Sequence, residues 1–366
     1  MTPTFDIAII GAGAVGCAIA RELARYELNI VLLEANPDVG MGTSKASTAI
    51  WHTGFDAKPG SLEARLMRRS YALMDPFMPE AGIPHERLGA ILIAWNQEQL
   101  DALPALRQKA HENGVLDVEI MSAEEIRRRE PHIRPGFLGG LFVPGEGILC
   151  TYSVPLACAT QAVVNGVVLM TNFRVKEIRE ERAGYLITSN EDSLHTRWII
   201  NAAGLYSDEI NRMFGHQVYT VTPRRGQLIV YDKLARPLVN HVLLPVPTAK
   251  TKGVLISPTV YGNILLGPTA EDLPDKTATQ TTTDGLEMLL GKGREILPQL
   301  LDGCARLVPP GDVAALASAL RETLEQPEAS RAMAAKARAR CLENYTMAHV
   351  GATLREVIRK VAPGLK

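Results

Sequence analysis

Three glycines and one acid near the amino terminus have the types and spacing of a dinucleotide-binding site. They are Gly11, Gly13 and Gly16, in the order G-x-G-x-x-G, with Glu34 lying 23 positions after the first glycine. The first glycine permits a tight turn, the second lets backbone approach a pyrophosphate, and the third lets a helix pack on a strand. An acid at this distance accepts hydrogen bonds from the ribose hydroxyls of adenosine and disfavours the 2′-phosphate of NADP.

A strand, a helix and a second strand must position these residues, and the sequence predicts all three. Residues 6–10 are a nearly continuous apolar run, typical of a parallel strand covered on both faces. An Ala- and Leu-rich helix follows to about Tyr26, and Asn29 to Leu33 forms the second strand, with Glu34 at its end. The pyrophosphate would lie at the helix N-terminus, where N–H groups and the helix dipole favour negative charge. The pattern predicts a Rossmann-like domain, and it fits either FAD or NAD.

Composition excludes several classes of protein. The chain has 366 residues, 46% hydrophobic content and a net charge of −1, which argues against disorder and against nucleic acid as the main partner. The cysteines form no C-x-x-C and have no histidines at metal spacing, so we expect no metal site and a reducing compartment. With no transmembrane segment and no signal-peptide layout in the sequence, we expect a cytoplasmic protein. Peripheral membrane contact and the oligomeric state stay open.

Two further stretches suit a large flat cofactor. Residues 40–65 are rich in Gly, Ser and Thr and directly follow the ribose acid, although an ordinary surface loop has the same composition. Residues 197–204 form a strand that ends in Asn201-Ala202-Ala203-Gly204, where small side chains let backbone approach a planar or charged group. Beyond residue 216, short strands split by Pro and Gly predict an antiparallel sheet laid over the cofactor.

Together these motifs resemble the FAD-dependent superfamily of D-amino-acid oxidase and glycerol-3-phosphate dehydrogenase, and most closely its L-2-hydroxyglutarate oxidase-like members. The similarity runs from about Phe5 to Leu301. Besides the three glycines and Glu34, it is carried by residues 47–54 (STAIWHTG), 58–62 (KPGSL), 201–204 (NAAG) and 223–227 (PRRGQ).

The resemblance implies FAD as the cofactor and assigns residues to its parts. The glycine turn would contact the pyrophosphate, the acid the ribose, residues 44–52 the flavin, and the main chain of residue 175 the adenine end. The predicted cofactor-binding residues are Gly11, Gly13, Ala14, Val15, Gly16, Glu34, Ala35, Ser44, Ser47, Thr48, His52, Val175, Ala203 and Gly204.

The resemblance also implies an α/β fold with two domains and a tail. The FAD-binding domain, built on a parallel sheet, would comprise residues 1–85 and 145–215. The substrate domain, built on an antiparallel sheet, would comprise residues 86–144 and 216–285. A helical C-terminal tail would comprise residues 286–366 and depart from the family from about residue 303.

In this family a substrate C–H bond delivers hydride to flavin N5, and the flavin does the difficult chemistry. The resemblance therefore implies an oxidoreductase acting on the CH–OH or CH–NH group of a small 2-hydroxy acid, a polyol phosphate or an amino acid. Electrons would pass to oxygen, a quinone or another acceptor.

A small anionic substrate needs a base for its hydroxyl proton and a cation for its charged end. His52 is the candidate base because imidazole titrates near neutrality, although a packing histidine is the alternative. Arg224 and Arg225 are candidates for a carboxylate clamp. Since neighbours on a strand point to opposite faces, at most one of them should reach the pocket, and either could be a solvated sheet charge.

The resemblance fails near residue 301. Family members usually continue into a Y-x-G-x-R strand and a closing loop beside the flavin, and neither pattern follows here. Without that strand we expect an exposed sheet edge unless the tail covers it, and exposed edges invite mispairing.

Residues 303–366 resemble instead the C-terminal end of two-lobed glycosyltransferases. The resemblance is carried by Val308-Pro309-Pro310-Gly311-Asp312 and by Ala-rich helical sequence. We expect Asp312 to cap a helix with an apolar stripe of Val313, Leu316, Leu320 and Leu324, a second helix to start at Pro327, and a third to cover residues 347–361.

Three hypotheses follow. The first is an active FAD-dependent oxidoreductase, supported by about 300 residues of consistent pattern. The second is a hybrid that binds FAD but is catalytically impaired, because it lacks the closing flavin loop. The third, a glycosyltransferase, is supported by the tail alone, since no donor-binding pattern precedes Gly303.

Overall fold

The computed structural model describes residues 2–247, 253–298 and 313–344. Within these ranges the strands are β1 (Thr4–Ile10), β2 (Ile30–Leu33), β3 (Ile50–Trp51), β4 (His85–Glu86), β5 (Ala90–Ala94), β6 (Glu119–Ser122), β7 (Gly139–Val143), β8 (Gly147–Leu149), β9 (Val168–Met170), β10 (Glu177–Glu181), β11 (Gly184–Thr188), β12 (Ser193–Asn201), β13 (Arg224–Arg225), β14 (Ile229–Tyr231), β15 (Val242–Pro245), β16 (Leu255–Pro258), β17 (Ile264–Gly267) and β18 (Glu271–Asp272). The α-helices there are α1 (Ala14–Leu23), α2 (Leu62–Glu80), α3 (Gln97–Glu112), α4 (Ala123–Arg129), α5 (Ser153–Val164), α6 (Ser207–Met213), α7 (Thr283–Ile296), α8 (Val313–Glu325) and α9 (Pro327–Asn344).

A six-stranded sheet carries the predicted dinucleotide motif. Its strand order is β10-β11-β12-β1-β2-β9. The four strands from β12 to β9 are parallel, and β10 and β11 add an antiparallel hairpin. Ile9 packs in a core with α1 and α5, whereas Ala8 and Ile10 pack in a second core on the opposite face with α6. Burial on both faces explains the nearly continuous apolar run in β1.

A seven-stranded sheet forms the second layer, with the order β14-β17-β16-β15-β5-β7-β6. Every residue of β5 is buried. Ile91 and Ile93 pack in a core with α4 and α7, and Leu92 packs in another with α3. The sheet is antiparallel as expected except where β15 pairs with β5 in parallel. Between β5 and β15 the chain forms strands of the six-stranded sheet. The two strands are therefore not joined by a hairpin, which would have made them antiparallel.

The two large sheets use alternating parts of the chain. The six-stranded sheet takes its strands from residues 4–33 and 168–201, and the seven-stranded sheet from residues 90–143 and 229–267. This distribution supports a discontinuous two-domain arrangement, while the domain boundaries themselves stay a prediction. Two small sheets, β3-β8-β4 and β13-β18, complete the described strands.

The described residues of the predicted tail are mostly helical. α7 packs on the seven-stranded sheet through Leu289, and α9 begins at Pro327 as expected. Leu320 and Leu324 are exposed, so no residue of the described ranges covers this end of the expected apolar stripe. The predicted cap at Asp312 and the third helix lie outside the described residues. Across the described ranges, no helix has both the length and the apolar character needed to cross a bilayer.

The register of β12 leaves one part of its edge unpaired. On one side, β1 pairs with β12 from His195 to Asn201. On the other side, β11 pairs with residues 193–196, and no strand of the described ranges pairs with residues 197–201. Trp198, within this segment, is 66% exposed. The described part of the chain therefore has the open sheet edge expected from a missing last strand.

An open edge with an exposed aromatic residue promotes association between chains, and an added charge opposes it. We expect Trp198→Lys to reduce concentration-dependent aggregation, measured by light scattering, with little change in Tm because the indole is mostly exposed. Leu66→Lys, which removes an exposed apolar residue of α2, is the control. An equal reduction in both variants would show that surface charge, and not the β12 edge, controls aggregation.

Candidate functional site

The turn between β1 and α1 is closed by two close backbone approaches. Gly11 has φ +104°, and a Cβ there would lie 2.5 Å from the carbonyl oxygen of Ala202. A Cβ on Gly16 would lie 1.8 Å from the carbonyl oxygen of Gly11. No side chain fits at either position, so both glycines serve to bring α1 against the ends of β1 and β12.

Gly13 has a different environment, because it is the N-cap residue of α1. A Cβ at Gly13 would have the hydroxyl of Ser44, 3.2 Å away, as its near neighbour. The Ser44 Oγ accepts a hydrogen bond of 2.9 Å from Ala14 N, and Val15 is exposed. Helix N–H groups, a hydroxyl and a glycine without a side chain thus meet at one point. This cradle fits a pyrophosphate, and any Cβ at Gly13 would fill part of it.

Glu34 lies buried at the end of β2 and faces the same turn. Its Oε2 accepts a hydrogen bond of 2.9 Å from Ala12 N, and its Oε1 accepts from the N and Nδ2 of Asn36 at 2.9 and 2.7 Å. A carboxylate has about four acceptor positions, so three donors leave capacity for a ribose hydroxyl. The half-buried Ala35 follows directly in the chain.

The other predicted cofactor residues border this turn from two sides. Gly11 lies against Ala203, whose Cα would be 3.0 Å from a Cβ on the glycine, and Gly204 has φ +52°. On the opposite side, Phe173 N donates to the carbonyl oxygen of Glu34, and the buried Val175 lies two residues further on. The structure therefore brings the predicted pyrophosphate, ribose and adenine residues together around the ends of β1, β2 and β12.

The segment after this turn is tied to it and leads towards His52. Gly40 N donates to the carbonyl oxygen of Ala12, and residues 43–46 form a short 3₁₀ turn. Ser47 is exposed, Thr48 is half-buried, and Ala49 adopts φ +63°, a conformation that costs an alanine about 1–2 kcal/mol. The chain then enters β3.

His52 is held by a buried carboxylate that the sequence reasoning missed. β3 pairs with β8 in a register that aligns Trp51 with Gly147, so residue 52 comes opposite Glu146. His52 Nδ1 lies 2.8 Å from Glu146 Oε2. Glu146 Oε1 accepts hydrogen bonds from Thr53 N at 2.6 Å and from Thr53 Oγ1 at 2.7 Å. The Glu146 side chain is fully buried, whereas that of His52 is 38% exposed.

The signal for Glu146 is present in the sequence. It is a lone acid between two glycines inside an otherwise apolar stretch, residues 141–149. Fully buried acids are rare unless they are paired, so such a position points to a specific partner. The partner, however, is 94 positions away in the chain, and only the β3–β8 register identifies it.

Aromatic packing fixes this part of the site. The Trp51 and Tyr71 rings stack with centroids 4.5 Å apart, and the Arg87 guanidinium lies over the Trp51 ring. The Tyr71 hydroxyl donates to the carbonyl oxygen of Gly145 at 2.6 Å, and burial raises the pKa of Tyr71. These contacts hold β3 and β8, and therefore His52 and Glu146, in one arrangement.

Cys150 directly follows β8 and has an altered acidity. Burial opposes ionisation of its thiol, but hydrogen bonds from Ser153 and from the Tyr261 hydroxyl outweigh that effect and lower the pKa of Cys150. The neighbouring Thr151 Oγ1 donates to the carbonyl oxygen of Lys45. This contact joins the end of β8 to the predicted flavin segment.

Arg224 and Arg225 are engaged by partners on a small separate sheet. Arg224 makes a bidentate pair with Asp272 at 2.6 and 2.8 Å on the protein surface. Arg225 lies on the opposite face with its side chain 10% exposed, and it donates to Glu271 and to the carbonyl oxygen of Gln280. The expected alternation of the two side chains is therefore present. Each arginine, however, already has an acidic partner.

Residues 6–336 match the family model described as FAD dependent oxidoreductase. The chain belongs to this family of FAD-dependent oxidoreductases. The match extends past residue 301, the end of the similarity expected from the sequence. The fold and the oxidoreductase class expected from the sequence are thereby confirmed, whereas the resemblance of the tail to glycosyltransferases gains no support.

Individual relatives agree with this membership. The flavoprotein is 40% identical over 296 residues to a glycerol 3-phosphate dehydrogenase of Caloramator mitchellensis, covering 81% of this chain and 62% of that protein. It is 30% identical over 286 residues to the mitochondrial L-2-hydroxyglutarate dehydrogenase of Bos taurus, covering 74% of this chain and 61% of that protein. The chain thus spans about three fifths of the length of these two relatives.

A solved structure matches as well. The dithionite-reduced L-alpha-glycerophosphate oxidase of Mycoplasma pneumoniae, with FAD bound, superposes with a TM-score of 0.76 at 31% identity, covering 81% of this chain and 79% of that one. FAD is the cofactor of the family, and the cradle at Gly13 and the acceptor capacity of Glu34 fit its ADP half. Gly13 and Glu34 both lie within the residues that the structure describes.

The cradle gives a direct test of the cofactor residues. Gly13→Val places a branched side chain where the pyrophosphate would lie, so we expect the flavin content of the purified flavoprotein, measured from its visible absorbance, to fall about tenfold or more. Gly291→Val in α7, where a Cβ would meet nothing within 4 Å, is the matched control. A yellow Gly13→Val protein with wild-type flavin content would contradict the assignment.

Proposed function

We propose that this flavoprotein oxidises the CH–OH group of a small anionic substrate, a polyol phosphate such as glycerol 3-phosphate or a 2-hydroxy acid such as L-2-hydroxyglutarate. The observation that carries the proposal is the environment of His52. This residue is a partly exposed imidazole, held by a buried carboxylate, on the segment that leads out of the cofactor cradle. The relatives named above, which act on alcohols of these two classes according to their names, support the same substrate chemistry.

The protein residues would bind the cofactor, orient the substrate and move one proton. Gly13, Ser44 and the N-terminus of α1 would bind the pyrophosphate, and Glu34 the ribose. The bound flavin supplies the acceptor for the hydride that leaves the substrate carbon. His52 would take the hydroxyl proton at Nε2, since Nδ1 faces Glu146. Electrons would leave to oxygen, a quinone or another acceptor, and a cytoplasmic location remains part of the proposal.

The arginine clamp remains a prediction for Arg225. Arg224 is largely exposed, and its Nε and Nη2 both donate to Asp272, which supports a surface ion pair. Arg225 is mostly buried on the other face, and its Nε has no hydrogen-bond partner in the described part of the chain. A guanidinium with an unused donor fits an anion better than one already satisfied.

A second candidate function is binding of FAD without efficient turnover. In support of it, no strand of the described ranges pairs with residues 197–201 of β12 on the side away from β1, and a missing strand there would also remove donors beside the flavin ring. The visible spectrum of the purified chain, followed by substrate addition, separates the candidates. Bleaching of the flavin band by glycerol 3-phosphate or L-2-hydroxyglutarate supports the oxidoreductase, whereas a yellow protein that no such substrate bleaches supports the second candidate.

The base assignment predicts a loss of rate in the flavin-loaded protein. In His52→Asn we expect the rate of flavin reduction, measured by stopped-flow absorbance, to fall about 10²- to 10⁴-fold, the usual contribution of general acid–base catalysis. His85→Asn is the matched control, because His85 lies in the same small sheet and bonds the carbonyl oxygen of Ile83. A His52→Asn protein that reduces its flavin at the wild-type rate would show that another group takes the proton.

The clamp predicts different effects of the two arginines. In Arg225→Ala we expect KM for the anionic substrate to rise about fivefold or more, as when a charged hydrogen bond worth about 1 kcal/mol or more is lost. In Arg224→Ala we expect KM to stay near the wild-type value. Tm is measured for both, since each also loses an ion pair of the small sheet. Unchanged KM in both variants would remove the clamp.

A further inference from the structure

We propose that Glu146 is a positioning residue that holds the ring proton of His52 on Nδ1 and so keeps Nε2 as the proton acceptor. The inference rests on the proposed function for its kinetic consequence, while the proton position itself is a property of the folded chain. Three observations carry it: complete burial of the carboxylate, the division of its two oxygens between different partners, and the rigid packing around it.

The two carboxylate oxygens of Glu146 have separate partners. Oε1 accepts from the backbone N–H and from the hydroxyl of Thr53, at 2.6 and 2.7 Å. Oε2 lies 2.8 Å from His52 Nδ1. An ionised carboxylate can only accept, so Nδ1 must be the donor in this contact. In a neutral imidazole the proton is then on Nδ1, and Nε2 has the lone pair that a base requires.

Neighbouring residues leave Glu146 little freedom to rotate. A Cβ on Gly145 would lie 2.9 Å from Thr53 Cγ2, and a Cβ on Gly147 would lie 2.7 Å from the carbonyl oxygen of Glu86. The chain on both sides of Glu146 is therefore packed against its surroundings as closely as glycine allows. Because Thr53 directly follows His52 in the chain, both partners of Glu146 lie on the same short segment, with Oε1 on Thr53 and Oε2 on His52.

This division makes Glu146→Gln informative. The Thr53 N–H must still be accepted, so the amide oxygen of the glutamine takes the position of Oε1. Its NH₂ group then faces His52 Nδ1, which becomes an acceptor. The ring proton moves to Nε2, and the base is lost although size and shape are almost unchanged. An imidazolium formed during turnover would also lose the negative charge that stabilises it.

The chain contains a matched control in a second buried glutamate–histidine pair. Glu130 is fully buried, and its Oε1 lies 2.7 Å from His241 Nδ1. The same carboxylate accepts from the backbone N–H groups of Asn240 and His241, just before β15. Glu130→Gln therefore makes the same chemical change in a pair that anchors a strand of the seven-stranded sheet.

The first experiment reads the proton position directly. Histidine-selective ¹⁵N labelling and long-range ¹H–¹⁵N spectra distinguish the two neutral tautomers, and His52→Asn identifies the signal among the eight histidines. We expect the Nδ1–H form of His52 in the wild-type protein and the Nε2–H form in Glu146→Gln. An Nε2–H form in the wild type, or the same tautomer in both proteins, would overturn the proposal. The wild-type spectrum decides the question even if the variant does not fold.

The second experiment measures turnover of the flavin-loaded protein. We expect Glu146→Gln to lower kcat about 100-fold or more, as a wrong tautomer does in a Ser-His-Asp triad, with KM and flavin content near wild type. We expect Glu130→Gln to keep kcat within about threefold of wild type. Equal losses in both variants, or a near-normal kcat in Glu146→Gln, would overturn the positioning role. A wild-type protein that oxidises no 2-hydroxy acid or polyol phosphate would overturn the proposed function instead, and the tautomer spectra would still decide the role of Glu146.

Discussion

The close approach of α1 to the ends of β1 and β12 is the constraint on which the rest of the site depends. It requires that Gly11 and Gly16 lack side chains, because a Cβ at either would meet a backbone carbonyl oxygen at 2.5 or 1.8 Å. The approach brings the helix N-terminus, the Ser44 hydroxyl and the Glu34 carboxylate to one place. Each is an ordinary group, and their combination at one strand end fits the proposed binding of a diphosphate flanked by a ribose.

Contacts between residues that are close in the sequence could be predicted, and such contacts build most of the proposed site for the ADP half of the cofactor. The glycine turn, the strands around it and the acid at the end of β2 lie within 34 residues, so local pattern and spacing are enough. β5, α4 and α6 are also marked by local sequence. β5 is an apolar run, a serine cap precedes α4, and a strand end of small residues precedes α6. For such elements, the residues that determine the structure lie close together in the sequence.

Contacts between distant residues could not be predicted, and they decide the other half of the site. Glu146 reaches His52 because β3 and β8 pair in one particular register, and a shift by one residue would turn each side chain to the other face. Arg224 and Arg225 illustrate the converse. Their alternation followed from strand geometry, but the acids of β18 that neutralise them come from 46 and 48 positions away. The parallel pairing of β15 with β5 depends in the same way on the path of the intervening chain.

The two halves of the site also differ in what they need from the remainder of the fold. The cradle at Gly13 is bordered by β1, β12 and the segment around Ser44, all joined by described hydrogen bonds. Residues 197–201 of β12 lead into Ala203 and Gly204, and no strand of the described ranges pairs with their outer edge. A disturbance of that edge would therefore reach the proposed cofactor site from one side. His52 and Glu146 are anchored elsewhere, by β8, Tyr71 and Thr53. The proposed proton-accepting pair is therefore anchored separately from this edge of β12, so a variant that loses flavin affinity through the edge would keep the proposed base in place.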